Sequence, residues 1–313
     1  AMAQGTSSAG ERLSGGGKLV CEAYDAERHE ATYEDLLGIQ GQTGKSRAPS
    51  HKGTMLSVYV VVDEERAVVG TATLAIEPKF THECQSVGHV LDVVVGDRER
   101  ELEIVAALMA KITAHAKAEG CYKCLMDCRP EQVGLVKPLG FKPKEDQMAV
   151  DLTAHGKRKE NEEKSHPKAL APRSRALEDG DYAKNFMGLL SQLTSCGTVT
   201  ENDFHERWQL RQKNQGQVCI VVEDTKSKHI VATASLMAAH HHDAKGLVGH
   251  IEDVVVDSKA RGQGLGRVII GEILRVAKER GCCQCVLNCS EKNMPFYAKH
   301  GFRKAKVGMA LYF

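Results

Sequence analysis

Two features in the second half of the sequence have residue types that could do chemistry. The first is residues 261–266, RGQGLG, between a Val-rich run and a stretch with helical apolar spacing. The first N–H groups of a helix have no intrahelical partner, and glycines let an anion approach them, so this loop predicts a diphosphate site. A tight connection without a ligand is the alternative for any glycine-rich turn. A dinucleotide fingerprint is disfavoured, because that loop follows the first strand of its unit and this one follows a late strand.

The second feature is a pair of carboxylates, Glu252 and Asp253, inside the apolar run of residues 251–256. A carboxylate that is buried without a partner costs free energy. We therefore expect a polar ligand or a cation beside these two side chains.

Both features lie in the second copy of an internal repeat. Residues 88–95, GHVLDVVV, return as residues 249–256, GHIEDVVV. The same ungapped register pairs further identical residues: Ala116 with Ala277, Lys117 with Lys278, Cys124 with Cys285, Cys128 with Cys289, and Gly140-Phe141 with Gly301-Phe302. A repeat of this length predicts two similar domains.

The apolar pattern of the second copy alternates between strand and helix periods. The predicted strands are residues 218–222, 230–236, 251–256, 285–289 and 309–313. A helix is predicted from Leu265 to Ala277, with Gly281 placed to end it, and a short helix at 296–301. The charged stretch 153–172 predicts a linker. The expected division is a disordered segment 1–18, a domain 19–152, this linker, and a domain 173–313.

Composition excludes several classes of protein. Lys and Arg number 42 against 41 Asp and Glu in 313 residues, so no sequence-wide basic field favours nucleic acid or an anionic membrane. No run approaches the roughly 18–20 apolar residues of a spanning helix, and no leader peptide is evident. The 11 cysteines are an odd number in a long chain, which favours free thiols. We expect a cytoplasmic protein without disulfides.

The glycine loop after a Val-rich strand resembles the acetyl-CoA loop of the GNAT acyltransferase superfamily. Residues 249–256, 293–297 (NMPFY) and 301–302 are, in turn, similar to the eukaryotic glucosamine 6-phosphate N-acetyltransferases. The resemblance covers residues 173–313 nearly end to end, and most of 19–152. It implies an α/β class with an α+β mixed sheet, as two tandem GNAT-fold domains forming an internal pseudodimer.

The same resemblance implies direct acetyl transfer, in a ternary complex, from acetyl-CoA to the 2-amino group of glucosamine 6-phosphate, a step toward UDP-N-acetylglucosamine. Two alternatives remain open. One is a GNAT enzyme acting on another amine, such as a protein lysine or a polyamine. The other is a module that binds acetyl-CoA without catalysis.

The resemblance also implies roles for residues of the second copy. The main-chain N–H of Val254 would hold the thioester carbonyl, and Tyr297 would protonate the CoA sulfur; for Tyr297 a core aromatic is the alternative. Thr194, Glu252 and Asp253 would contact the sugar phosphate acceptor, and no dedicated base is implied. The implied acetyl-CoA contacts are Val254, Val255, Val256, Arg261, Gly262, Gln263, Gly264, Leu265, Gly266, Leu287, Asn288, Asn293, Phe296 and Tyr297.

The first copy departs from the family where chemistry is needed. Leu91 stands in place of Glu252, Val136 in place of Tyr297, and residues 97–103, DRERELE, replace the glycine loop. Carboxylates repel a diphosphate, so we expect no acetyl-CoA site in this copy.

The first copy nevertheless keeps residues that resemble the family's sugar-phosphate contacts, and the second copy lacks them. They are Lys79, His82, Tyr122 and Lys123. Family members are homodimers that share acceptor sites, so we predict one composite site per chain, in a chain that can be monomeric. A decayed copy kept for packing is the alternative. The family's basic residue near the last strand is replaced by Leu311 or Tyr312.

No metal site is predicted. The run 240–243, HHHD, puts adjacent side chains where they cannot all face one ion, and the cysteines at 121, 124, 128, 282, 285 and 289 fall on predicted strands as small apolar side chains.

Overall fold

The computed structural model describes residues 17–39, 55–153, 173–214, 216–241 and 246–313. The expected disordered segment 1–18 lies outside these ranges except for its last two residues. The expected linker 153–172 lies outside them except for its first residue, and so do His242 and Asp243.

In the described residues of the first copy, the structure has six strands and three helices. They are β1 (Val20–Ala23), α1 (Ala26–Ile39), β2 (Leu56–Val62), β3 (Val68–Pro78), β4 (Ser86–Val95), α2 (Glu101–Ala118), β5 (Cys121–Cys128), α3 (Val133–Val136) and β6 (Lys142–Asp151).

The second copy repeats this order with one more helix near its start. Its elements are β7 (Arg173–Ala176), α4 (Phe186–Leu190), α5 (Glu201–Lys213), β8 (Gln217–Glu223), β9 (Ile230–His240), β10 (Leu247–Val256), α6 (Leu265–Glu279), β11 (Cys282–Cys289), α7 (Met294–Ala298) and β12 (Arg303–Tyr312). Every strand and helix predicted for this copy is present, and several strands are longer than predicted. Gly281 follows the end of α6 with φ 82°, as predicted.

All twelve strands form one mixed sheet, and its centre is made by strand exchange. The order is β1-β2-β3-β4-β5-β12-β6-β11-β10-β9-β8-β7. The last strand of the second copy, β12, pairs with β5 and β6 of the first copy, while β6 pairs with β11 of the second. The two copies therefore form the expected internal pseudodimer, joined by main-chain hydrogen bonds.

The apolar runs of the strands are continuous because helices cover both faces of the sheet. In β2, Val61 packs in the core under α2, whereas Val60 and Val62 face the core under α1. The exchanged strands also exchange core residues: Met309 of β12 packs in the first copy, and Met148 of β6 packs in the second. Neither copy completes its own core.

All eleven cysteines lie within the described ranges and are free thiols, and most of them are buried. This agrees with the expectation of no disulfides and with their predicted role as small apolar side chains. Among the helices described, none is long and apolar enough to cross a bilayer.

Candidate active site

A gap opens in the second copy between the parallel strands β10 and β11. Their pairing ends at His250 and Val286, although β10 continues to Val256 and β11 to Cys289. On its other side, β10 shifts register against β9 between Glu252 and Val255. This bulge leaves Val254 outside the regular ladder at the level of the gap, where its main-chain N–H can serve a ligand.

The glycine loop lies between this gap and α6. Gly262 and Gly264 have φ values of 79° and 82°, and a Cβ on either would meet no atom within 4 Å. Arg261 donates from Nε to the carbonyl of Val256 at 3.1 Å, which ties the loop to the end of β10. The N-terminus of α6 is thus open to an anion, and the residues present fit the diphosphate of acetyl-CoA.

Tyr297 lies on α7, below an exposed aromatic ring. Its ring centroid is 5.0 Å from that of Phe296 and 5.9 Å from that of Phe302, and the residue is 8% exposed. Phe296 in turn covers Gly266 at the start of α6. Burial raises the pKa of the Tyr297 hydroxyl, so it stays protonated at neutral pH and can donate a proton or a hydrogen bond.

The other implied acetyl-CoA residues differ in how they meet the gap. Asn293 is exposed just before α7. Leu287 is buried in the core of the second copy, and Asn288 points into a small cavity shared with Asp127 of the first copy. Because β10 no longer pairs with β11 at this level, the main chain of Leu287 and Asn288 faces the gap.

The carboxylates of β10 meet a lysine of the first copy. Lys79 Nζ lies 3.1 Å from Asp253 Oδ2 and 3.6 Å from Glu252 Oε2. A third carboxylate, Glu77, approaches the same nitrogen at 2.9 Å, and Lys79 is 4% exposed. The cation expected beside Glu252 and Asp253 is therefore Lys79. Its role as a phosphate contact stays a prediction.

Burial and charge oppose each other in this cluster. Burial acts to lower the pKa of Lys79, but Asp253, Glu77 and Glu252 outweigh it and the pKa is raised. Burial likewise acts to raise the pKa of Glu77, but Lys79, His89 and Arg211 hold it well below its usual range. For Glu252 burial wins over Lys79, and its pKa is raised. Glu252 is thus better suited than Glu77 to take up a proton.

The residue next to Lys79, Phe80, packs in an apolar cluster of the second copy. Its ring packs against Phe186 and Phe204 with ring centroids at 5.4 Å and 4.8 Å. The turn that follows has positive φ at residues 82–84, and its N–H groups at 82 and 83 donate to the carbonyls of Ser195 and Cys196. This segment of the first copy is therefore built into the second.

The remaining acceptor residues lie on this turn and on β5. His82 Nε2 is 3.3 Å from Thr194 Oγ1, and the His82 ring stacks on Tyr122 at 4.1 Å between centroids. Lys123 Nζ lies 5.2 Å from the centroid of the Tyr122 ring. Residues that sequence reasoning assigned to different copies thus meet at one place.

Sequence reasoning did not identify three residues near the site, Glu77, His89 and Arg211. Glu77 accepts from Lys79 and from His89 Nε2 at 2.9 Å, and Arg211 of α5 donates to the carbonyl of Pro78 at 2.6 Å. Glu77 stands in an otherwise apolar strand, which is the same signal that identified Glu252. Arg211 gave no such signal, because it lies on a polar helix.

The equivalent region of the first copy is closed. Its strand bulge survives, with Asp92 at φ 54° beside Leu91, but Leu91 packs against Met237 and Ala239. Val136 lies in the apolar core. At the start of α2, carboxylates crowd the first turn and Arg100 Nη2 donates to the carbonyl of Gly17. Among the described residues, these features leave no open loop at the start of α2. That this copy binds no acetyl-CoA stays a prediction.

Histidines line the pseudo-twofold contact between the copies. His241 Nδ1 is 3.1 Å from Asp92 Oδ1, and its Nε2 is 2.9 Å from His250 Nε2. In the ranges described, no group of three or more His, Cys, Asp or Glu residues is arranged to hold a metal.

Comparison with known proteins gives three kinds of match. The family model "Acetyltransferase (GNAT) family" matches residues 20–141 and again 188–302. Glucosamine 6-phosphate N-acetyltransferase 1 of Oryza sativa subsp. japonica is 37% identical over 145 residues, 46% of this chain and 88% of the relative. Glucosamine 6-phosphate N-acetyltransferase of Arabidopsis thaliana is 39% identical over 141 residues, 44% of this chain and 95% of the relative.

Among solved structures, a tandem GNAT protein from the clavulanic acid biosynthesis pathway covers 94% of this chain and 98% of its own, with a TM-score of 0.55 and 16% identity. This likeness bears on the fold alone. It supports the tandem architecture, since one solved chain spans both copies. The double match of the family model shows that the chain belongs to the GNAT acetyltransferase family and contains two GNAT domains in tandem.

Proposed function

We propose that this chain transfers an acetyl group from acetyl-CoA to the 2-amino group of glucosamine 6-phosphate. The observation that carries the proposal is the meeting of Glu252 and Asp253 of the second copy with Lys79, His82 and Lys123 of the first. This cluster lies beside the Val254 bulge, so carboxylates suited to an amine and a lysine suited to a phosphate, Lys123, border one strand opening.

The names of the relatives support this choice of acceptor. Several curated proteins that are 35–39% identical to this chain bear the name glucosamine 6-phosphate N-acetyltransferase, from plants and from Dictyostelium discoideum. The chain covers 86–95% of the length of these relatives, so the match includes nearly all of each one.

In the proposed reaction the neutral amine attacks the thioester carbonyl, a C–N bond forms and the C–S bond breaks. The N–H of Val254 stabilises the negative charge that develops on the carbonyl oxygen. Tyr297, which is protonated, gives its proton to the departing thiolate and regains one from solvent. After the attack, the proton that leaves the positively charged amine nitrogen passes to Glu252, whose pKa is raised, and then to water.

Direct transfer is favoured over an acetyl-enzyme, because the cysteine of β11 beside the gap is a poor nucleophile. Burial raises the pKa of Cys289 to about 11, which leaves little thiolate at neutral pH. Ping-pong initial-rate patterns, or a trapped acetyl-enzyme, would contradict this mechanism.

We further propose one such site in each chain, with acetyl-CoA held by the second copy. The internal strand exchange already supplies the second GNAT unit, so a monomer contains a whole acceptor site. The free thiols fit a reducing compartment such as the cytoplasm, where the product would supply UDP-N-acetylglucosamine synthesis. Neither nucleic acid nor a membrane is required as a partner.

The test is a thiol-release assay with acetyl-CoA and four acceptors: glucosamine 6-phosphate, glucosamine, a lysine peptide and spermidine. We expect kcat/KM to be greatest with glucosamine 6-phosphate. Higher turnover of the peptide or the polyamine would assign the chain to another amine. Tight acetyl-CoA binding with no thiol release from any acceptor would make the chain a binding module.

A further inference from the structure

We propose that Tyr312, on β12, is a specificity-determining residue that holds Lys123 in position for the phosphate of the acceptor. The inference deepens the proposed function and rests on it. It concerns the position at which the chain lacks the basic residue implied near the last strand.

Lys123 is the lysine of the acceptor cluster that remains free to meet an anion. Lys79 is already surrounded by Glu77, Asp253 and Glu252, so its charge is compensated within the protein. Lys123, in contrast, makes no ion pair with any residue in the part of the chain that the structure describes. Its ammonium group lies close to two tyrosine rings.

The register of the exchanged strand decides which residue of β12 faces this lysine. Tyr312 pairs with Lys123, and Leu311 pairs with Cys124. Leu311 packs into the core of the first copy, where its Cδ1 lies 3.1 Å from the position of a Cβ on Gly140. Since neighbouring side chains on a strand point to opposite faces, the side chain at 312 is the one that faces the acceptor cluster.

Two rings bracket the Lys123 ammonium. The nitrogen lies 5.9 Å from the centroid of Tyr312 and 5.2 Å from that of Tyr122, both within the range of cation–π attraction. Tyr122 is fixed by its stack on His82, whereas Tyr312 is 55% exposed. The faces of two rings attract the charge without accepting its three N–H donors in strong hydrogen bonds, so those donors stay available to phosphate oxygens.

A neutral ring at position 312 therefore favours phosphate binding indirectly, through Lys123, whereas a second cation would favour it directly. A basic residue there would contact the phosphate itself, whereas Tyr312 orients the one cation that does. Selectivity for a phosphorylated sugar should consequently depend on Tyr312, although Tyr312 contributes no charge.

The test compares Tyr312→Leu with Tyr312→Phe, which keeps the ring face, and with Phe313→Leu, which removes the neighbouring exposed aromatic. We measure kcat/KM for glucosamine 6-phosphate and for glucosamine in each variant. Tyr312→Leu should lower the ratio of these two values by roughly 3- to 10-fold, the worth of one cation–π contact, mainly through the KM for the phosphorylated sugar. Tyr312→Phe and Phe313→Leu should keep the wild-type ratio.

If Tyr312→Leu leaves the ratio of the two kcat/KM values unchanged, the inference is wrong. It is also wrong if Tyr312→Phe lowers this ratio as much as Tyr312→Leu does. A second measurement separates this from failure of the proposed function. If the wild-type protein acetylates neither sugar, the proposed function is wrong. Calorimetry with inorganic phosphate then still decides: weaker binding by Tyr312→Leu than by wild type supports the role of Tyr312, and equal binding, or none to either protein, refutes it.

Discussion

Lys79 of the first copy lies 3.1 Å from Asp253 of the second, and this buried ion pair joins the copies at the acceptor site. Glu77 and Glu252 lie 2.9 Å and 3.6 Å from the same ammonium group. The cation thus holds together three carboxylates that would otherwise repel one another. The proposed acceptor site therefore depends on both copies for its charge balance.

Lys79→Met should consequently destabilise the protein strongly. The substitution leaves the half-buried Glu252 and Asp253 without their lysine partner, and it leaves the buried Glu77 with only His89 and Arg211. Removal of one partner from a buried ion pair costs about 3–5 kcal/mol in comparable cases. Urea unfolding gives the free energy of unfolding. The matched control is Lys304→Met, which removes an exposed ion pair with Asp146 between the same two copies and should cost about 0–1 kcal/mol. Equal effects of the two substitutions would mean that Lys79 is no more than a surface contact.

Gly264→Glu should abolish acetyl-CoA binding, because it places a carboxylate and a side chain in the open cradle. The control is Gly281→Glu at the other end of α6. Both glycines have φ 82° and open space where a Cβ would lie, so the two variants introduce the same strain and the same charge. Calorimetry should show no binding by the first variant and near wild-type binding by the second. Retained binding in Gly264→Glu would remove the diphosphate assignment.

Titration calorimetry of the wild-type chain should give one acetyl-CoA site per chain. The cradle at Gly262 and Gly264 is open, whereas carboxylates fill the first turn of α2 in the other copy. Two equivalent sites would show that the first copy has kept a binding mode that the structure does not display. A stoichiometry near zero would instead contradict the proposed acetyl-CoA site in the second copy.

Tyr297→Phe should lower kcat by about 10²-fold, the lower end of what general acid catalysis contributes. The KM for acetyl-CoA should change little, because the ring contacts with Phe296 and Phe302 remain. Tyr24→Phe, which alters a tyrosine next to β1 at the far edge of the sheet, serves as the control. If Tyr297→Phe keeps full turnover, Tyr297 is only a core aromatic.

The free energy of unfolding should fall as the pH drops below about 6.5, the ordinary pKa of histidine. Burial holds the pKa of His250 well below its ordinary value, with His241 and His89 acting in the same direction and Glu77 opposing. Below that ordinary value the unfolded chain takes up a proton that folded His250 refuses, so stability present at neutral pH is lost. His250→Gln should reduce this slope by up to about 1.4 kcal/mol per pH unit.

Local structure was predictable because the apolar periods of the second copy are regular. The run from Leu265 to Ala277 has helical spacing and forms α6, and Gly281 follows it in the left-handed conformation. Strand ends were less accurate: β10 begins at Leu247, four residues before its predicted start at Ile251, because Gly249 and His250 interrupt the apolar run there.

The strand exchange could not be read from the sequence. The centre of the sheet joins β5, β12, β6 and β11, whose apolar patterns fit several pairings equally well. Which strands pair is decided by the packing of whole domains. For the same reason the sequence indicated that Lys79 and Glu252 belong to one site, but not that they contact each other directly.

The insertion of Phe80 into the second copy was also missed. Lys79 and His82 were identified because they are polar. The sequence does not indicate in which core the aromatic residue between them packs. The cluster with Phe186 and Phe204 shows that the polar contacts depend on an apolar one.

The exchange of β6 and β12 also constrains how the chain reaches its native state. Residues near Cys128 pair with residues near Val307, so the middle of the sheet cannot form from hairpins between neighbouring strands in the sequence. Loop closure over such a separation is slow, and until it happens β5 and β6 present bare edges to any other nascent chain. The central strands should therefore pair late in refolding, from an aggregation-prone precursor. A half-length fragment should expose unpaired strand edges and bind the other half of the chain.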